Sequence, residues 1–581
     1  MTISKQIPLI ASSDAWASTE RTLGGSPIDT SRSVGVLNGY YEVNQNALTD
    51  SKKISLNKRP GVVDASRNGS TVYPTVTNNN ERILGVTTDL TKTKVYWASK
   101  DATKTYSNYW DGTGAPPGTV TQTDITAAFP VATTQNFAFT QLDGISYGAN
   151  NYFAVTNGAQ GALINASGVW SAITDVDFTG NGVKTNFVAL DGYLFYGVIS
   201  GTNAGRIYNS DLNAAAAASG WTASAYLTPA DVPGAIVWLG RLRNYIVVFK
   251  QYSIEFLEDV GNPTPGSPLE QRKSLTKRIG CASSSSVQEV SDGLIFLGID
   301  QKGKLGVWKL STEDFSVKKI SDANLEVILH SKWQPASTTF QDYSVDFVAT
   351  GSGGQARGES QVIIWQNKEL YLITVNSANF TSTPWTYVYD NQLGLWTTWQ
   401  TAFSAGNNGF YASQAFQLFI GGGYQTYLVN NYAVFTQKAR FCALGNNNGL
   451  TPSTLWYQDG NDGTNASNYL FQFNSDLVDF GTHDRKFLNS LELIYNGKEK
   501  NVVFDNSSTN TDTFYIQILK QDFNNSSNLI SKPVNDSGWK RVKFNRLGSF
   551  RSVAVKIYSN LPAPLKLWAI EVVYSGGPQY A

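Results

Sequence analysis

The chain offers few side chains for metal-assisted or nucleophilic chemistry. Its only histidines are His330 and His483, and its only cysteines are Cys281 and Cys442. His330 stands alone after Val327-Ile328-Leu329, while His483 is flanked by Asp479, Asp484, Arg485 and Lys486. A zinc site takes three or four suitably placed ligands, and no His/Cys cluster supplies them. Neither cysteine begins a C-x-x-C pair, so both are read as buried free thiols. There is no G-x-S-x-G elbow and no G-x-x-x-x-G-K-[ST] loop. Carboxylates are numerous enough for a glycosidase-type pair, but sequence does not define the separation such a pair needs. Asp143, Asp191 and Asp292 each precede a glycine between β-rich runs, and the turn alone accounts for them. The expectation is that no catalytic, cofactor-binding or metal-binding residue is present.

Two segments are candidates for contact rather than catalysis. Arg272, Lys273, Lys277 and Arg278 form the densest positive charge, after the prolines Pro263, Pro265 and Pro268. Such a cluster suits either a solvated loop or a surface facing acidic protein or phosphate. The second is the turn Arg59-Pro60-Gly61 in a non-periodic stretch. Both are expected at contacts with other subunits.

The composition narrows the class. Charged residues make up 15% of the chain, against about 25% in ordinary globular proteins. The 45 Lys and Arg balance the 45 Asp and Glu, whereas proteins that capture nucleic acid through phosphates usually carry a basic excess. Low charge fits a surface largely occupied by partners. No apolar run reaches the ~18 residues of a membrane helix and the start lacks a signal-type core, so no membrane-spanning segment and synthesis in the cytoplasm are expected.

The 15 Trp, 29 Tyr and 29 Phe, with 51 Gly, indicate strands joined by tight turns. Turn markers recur roughly every 50 residues, the period of a propeller blade: Asp143-Gly144, Asp191-Gly192, Arg243-Asn244, Asp292-Gly293, Asn367-Lys368 and Ala415-Phe416. The fold class expected is all-β, with a β-propeller body, an irregular N-terminal region and a C-terminal β-sandwich-like domain. The boundaries are 1–80 for a platform region, 81–430 for six to seven blades, and 431–581 for the C-terminal domain. Residues 213–220, with five consecutive alanines, read as a short helix-like insert. The polar stretches 321–358 and 445–469 exceed ordinary hairpin lengths and read as long loops.

Three stretches in order carry a family resemblance. The first runs from Ile7-Pro8-Leu9-Ile10 through Asn38-Gly39-Tyr40-Tyr41 to Lys58-Arg59-Pro60-Gly61. The second joins Tyr252-Ser253-Ile254-Glu255-Phe256, Ile279-Gly280-Cys281-Ala282-Ser283, Asp292–Gly298 and Gly303-Lys304-Leu305-Gly306-Val307-Trp308. The third is Tyr389-Asp390-Asn391-Gln392-Leu393-Gly394-Leu395-Trp396, continued to Trp399. Together they resemble the tail nozzle, or DNA-stabilisation, proteins of short-tailed bacteriophages over roughly residues 5–420. The resemblance implies a virion protein without catalytic residues, six copies of which form a ring beneath the portal and adaptor rings. It implies contacts with adaptor proteins and with tail fibres or spikes, and genomic DNA passing through a gated lumen. A phage tail spike, or another glycan-binding or glycan-hydrolysing β-propeller, is the alternative.

Overall fold

A computed structural model describes residues 2–9, 35–43, 54–64, 82–329, 358–399, 414–441, 453–497 and 513–576, with short interruptions inside several of these spans. Four antiparallel four-stranded sheets follow one another in the first half. The first is Arg82–Thr88, Val95–Lys100, Thr105–Trp110 and Val120–Asp124. The second is Ala138–Gln141, Asn151–Thr156, Gly161–Asn165 and Trp170–Ala172. The third is Val183–Leu190, Tyr193–Ser200, Ile207–Ser210 and Trp221–Leu227. The fourth is Ile236–Leu242, Tyr245–Lys250, Ile254–Asp259 and Leu269–Gln271.

The fifth sheet orders Gly280–Cys281, Gly293–Ile299, Leu305–Ser311 and Val317–Lys319, with Gln288–Val290 also on Gly293–Ile299. A sixth set, Gly358–Trp365, Lys368–Val375, Trp385–Asp390 and Leu395–Trp399, lies in a larger ten-stranded sheet. A seventh sheet contains Gln414–Ile420, Gly423–Tyr432 and Ser453–Trp456, with Gly61–Asp64 at its outer edge and Lys438–Phe441 beside the second strand. Described residues are thus almost entirely β, as the composition requires.

First strands touch in chain order. Arg82–Thr88 lies beside Ala138–Gln141, which lies beside Val183–Leu190, which lies beside Ile236–Leu242. Ile236–Leu242 meets Gly293–Ile299, and Gln288–Val290 meets Gly358–Trp365. Gly358–Trp365 meets Gln414–Ile420, which in turn lies against Arg82–Thr88.

Each sheet is buried on both faces, which explains runs such as Leu294-Ile295-Phe296-Leu297. Alternate side chains serve two cores, because successive residues point to opposite faces. Leu294 and Phe296 pack towards Val247 and Phe249 of the fourth sheet. Ile295 and Leu297 pack towards Tyr371, Ile373 and Tyr387 of the sixth. In the same way Ile246 and Val248 face Val188, Leu190 and Phe195 of the third sheet. Complete burial of each such side chain stabilises the fold by roughly 1.5–3 kcal/mol.

Turn chemistry follows the sequence at Asp191-Gly192, where both residues take left-handed angles, φ 49° and 84°, as a two-residue hairpin turn requires. Arg243 likewise has φ 55°. Ala415-Phe416 differs: both lie inside Gln414–Ile420, and the chain reverses between the paired Ile420 and Gly423. Neither residue favours a turn, while the aromatic-rich run favours a strand. Asp143-Gly144, Asn367, the alanines 214–217 and most of 321–358 and 445–469 lie outside the described residues.

The carboxy-terminal part is a two-sheet sandwich. One sheet holds Lys486–Gly497, Gly538–Asn545 and Leu565–Gly576; the other holds Phe471–Asn474, Thr513–Lys520 and Val553–Ser559. Leu491, Leu493, Phe544, Leu567, Ile570 and Val572 pack against Phe473, Phe514, Ile516, Val555 and Ile557. The first 80 residues, expected as an irregular platform, contribute strands to three sheets. Thr2–Ile7 pairs along Ile570–Ser575, and Gly39–Val43 and Ile54–Lys58 extend the same sheet. Val36–Leu37 joins Leu395–Trp399 to Phe471–Asn474, which is why the sixth set merges into a ten-stranded sheet.

Candidate functional site

Side chains chosen from the sequence fall into different settings. Arg272 is half-buried and pairs with Glu258 and, at 3.6 Å, with Glu270, so it belongs to its own sheet edge. These carboxylates raise its pKa further, the hydrogen bond to Glu258 first. Lys273 opens the 3-10 turn Lys273–Leu275 and is exposed, as is Arg278; Lys277 is half-buried, its backbone paired with Ile254. This segment links the outer edge of the fourth sheet to the fifth sheet's Gly280, where a Cβ would lie 1.7 Å from the Gln251 carbonyl oxygen. Only glycine permits that approach.

Arg59 is 1% exposed and lies inside the subunit, with Nε donating to Asn38 Oδ1 at 3.0 Å. Gly61 begins the outer strand of the seventh sheet, and Pro60 lies outside the described residues. Hence the structure does not bring Arg59 onto a surface beside the basic segment. A lone Arg-Pro-Gly gives no burial signal.

A polar cluster that sequence reasoning missed joins the fifth and sixth sheets. Asn391 Nδ2 donates to Asp292 Oδ1 at 2.9 Å and to Glu369 Oε2 at 2.7 Å. Lys309 Nζ donates to Asp292 Oδ2 at 2.6 Å and to Asn391 Oδ1 at 2.8 Å. Ser291 completes the cluster, its N–H and hydroxyl each 2.8 Å from Glu369. Burial alone would raise the Asp292 carboxyl, but hydrogen bonds from Lys309 and Asn391 hold it below its ordinary value. Asp292 and Asn391 come from two of the three stretches that carried the resemblance, so spacing hinted at importance without showing that they meet.

A second pattern is buried lysine at the linkers. Lys184 Nζ donates to the carbonyls of Ala159, Asn181 and Gly182 at 3.1–3.2 Å and stands 4.8 Å from the Phe178 ring centroid. Burial pushes its pKa down to about 8. Lys250 donates to Glu255 Oε1 at 2.9 Å and to the carbonyls of Pro229 and Val232 in the linker before the fourth sheet. Glu255 also accepts from Ser253 and Gln271, so this buried ion pair has the additional hydrogen bonds that burial demands.

The glycines of Gly303–Trp308 have a packing cause. Gly298 and Gly306 are cross-strand partners, and a Cβ on Gly298 would lie 2.5 Å from Trp308 Cδ1. Trp308 therefore lies across a pair of positions kept bare for it. Cys281 is buried, with Sγ donating to the Ser283 carbonyl at 3.2 Å. Cys442, His330 and His483 lie outside the described residues. Among the described residues no group of three His, Cys, Asp or Glu side chains is placed to hold a metal, and no helix is long and apolar enough to cross a membrane.

Residues 131–347 match the model of a phage stabilisation family described as "Bacteriophage P22 Gp10, beta-propeller". The match spans the second to fifth sheets. The chain thus resembles a phage tail-stabilisation protein over part of its length, in keeping with a phage structural protein in general. No curated protein matches. Among solved structures, the WD40 domain of Neurospora crassa Pan2 is 10% identical, covering 66% of this chain and 94% of that one, with a TM-score of 0.34. A putative 6-phosphogluconolactonase from Bacteroides uniformis is 12% identical, covering 62% and 95%, with a TM-score of 0.31. A Mycobacterium tuberculosis puromycin-hydrolyzing peptidase is 8% identical, covering 61% and 49%, with a TM-score of 0.34; the chain spans about half the length of that peptidase.

Proposed function

We propose that the protein is a structural subunit of a short phage tail. Six copies form a closed nozzle ring that continues the DNA channel beneath the portal and adaptor rings and gates it during genome retention and ejection. The observation that carries this is the phage stabilisation family match over 131–347, which falls on successive four-stranded sheets. The body of the subunit is a seven-bladed propeller, a reading supported by the first-strand contacts that lead from Arg82–Thr88 through six further sheets and back. Residues 81–430 then form most of the propeller and 431–581 most of the second domain, with strands from 1–80 shared between them.

The reading contains no catalysis. Asp292 and Glu369, which Asn391 holds together, are engaged by Lys309 and Ser291 in a way that suits a clip between sheets. A ring of wedge-shaped copies uses two complementary flanks, and a sparsely charged surface suits such flanks. Adaptors, fibres or spikes would bind outside the ring while DNA passes through the lumen.

A reconstruction of the virion tail at side-chain resolution tests this. A six-fold ring with a constricted lumen below the adaptor is the expected result. A peripheral trimer, or turnover of host polysaccharide by the isolated protein, would replace the nozzle with a glycan-directed spike.

A further inference from the structure

The chain crosses twice between the propeller-like array and the carboxy-terminal sandwich within its first 64 residues. Val36–Leu37 is held by Leu37 beside Thr398 on one side and by Phe471–Asn474 on the other. Immediately after it, Gly39–Val43 enters the sandwich. The return crossing leaves Ile54–Lys58, passes Arg59, and continues as Gly61–Asp64 on the edge of the seventh sheet. The two crossings are tied together where they pass. Asn38 N–H donates to the Thr398 carbonyl at 2.7 Å, Arg59 N–H to the Asn38 carbonyl at 2.8 Å, and Arg59 Nε to Asn38 Oδ1 at 3.0 Å. Trp399 Nε1 donates to the Gly39 carbonyl at 3.0 Å. Asn38 and Arg59 are each 1% exposed, and Asn38 takes a left-handed φ of 55°.

From this geometry we propose that Asn38 and Arg59 form a latch that fixes the orientation of the sandwich on the propeller. With the latch open, the joint retains little beyond the short Val36–Leu37 pairing and the Gly61–Asp64 edge strand, and the two bodies turn against each other. Two features set this site apart from ordinary core. A guanidinium is buried at the crossing, where an apolar residue would pack at lower desolvation cost. It grips the one left-handed residue in the opposite crossing, a conformation Asn tolerates and most residues do not. Buried polar contacts of this kind specify a unique arrangement because a mismatched one leaves unpaired groups.

The test uses the full chain with Thr222→Cys on the third sheet and Asn545→Cys on the sandwich, both exposed positions, in a Cys442→Ser background. Spin labels at these two sites report the distance between the bodies. A single narrow distribution is expected for the parent. Asn38→Gly keeps the left-handed backbone but removes the side-chain acceptor; Arg59→Lys keeps the charge but removes the Nε donor. Each should broaden the distribution or add a second population while far-ultraviolet circular dichroism stays unchanged. Parent-like distributions in both variants would overturn the latch. Should Arg59→Lys fail to fold, Asn38→Gly alone decides the outcome. Amide exchange of Asn38 and Arg59 is a second measure: at least tenfold faster exchange in Asn38→Gly, with Ile295 and Val555 unchanged, supports the proposal, and equal slowing of all four refutes it.

Discussion

At the scale of single residues, burial and hydrogen-bond supply decide what each charged group does. Lys184 sits among carbonyls and is 1% exposed, with its pKa lowered to about 8. In the unfolded chain a lysine titrates near 10.4. Between these values the unfolded chain binds more protons than the folded one, so this residue makes stability rise with pH above about 8, by as much as about 3 kcal/mol in total. Lys184→Met should lose that rise. Denaturant titrations of both proteins at pH 7.5 and pH 9.5 check this, and equal pH responses would contradict it. Gly298→Ala is a second residue-scale prediction. The added Cβ meets the Trp308 ring at 2.5 Å, and such overpacking costs about 1–3 kcal/mol. Thermal unfolding should shift down by several degrees, with altered tryptophan fluorescence.

At the scale of elements, the sheets are held to one another by apolar faces and by polar clips. The Asp292–Lys309–Asn391–Glu369 clip joins the fifth and sixth sheets through hairpin ends that are partly in water. With the Asp292 side chain 59% exposed, solvent screening keeps each ion pair small, about 1 kcal/mol or less. Asn391 touches three partners, so Asn391→Ala should cost more than Asp292→Ala, about 1–2 kcal/mol. A double-mutant cycle between Asp292→Ala and Asn391→Ala should give a non-zero coupling. Asp292 has a lowered pKa, so its contribution is complete above the ordinary aspartate range and is lost as pH falls through the depressed value. The clip should therefore be weaker at pH 3 than at pH 6, measured as the same cycle at both values; additivity at pH 6 would show that it does not couple the sheets.

For the whole molecule, assembly is the property to measure. Lys273, Lys277 and Arg278 remain candidates for contact, whereas Arg272 is committed to Glu258. Replacing those three by glutamate should leave the unfolding midpoint within about 0.5 kcal/mol of the parent, as surface changes do, while impairing ring formation. Light scattering checks both the variant and the parent. A parent that stays at 63.4 kDa at every concentration would remove the ring, and a variant that assembles normally would make the segment a solvated loop.

Composition, turn residues and local alternation by themselves determined the all-β class, the repeating hairpins and the turn at Asp191-Gly192. They also marked the glycines beside Trp308 as special. These features depend on neighbours within a few residues, so they are written locally. Tertiary structure alone decided that Arg59 is buried against Asn38, that Asp292 meets Asn391, and that Thr2–Ile7 lies along Ile570–Ser575. Strand pairing uses the same backbone groups whatever the partner, and a buried arginine has the same letter as an exposed one. Local sequence cannot distinguish them, because the free energy that selects each arrangement arises only when distant segments meet and exclude water.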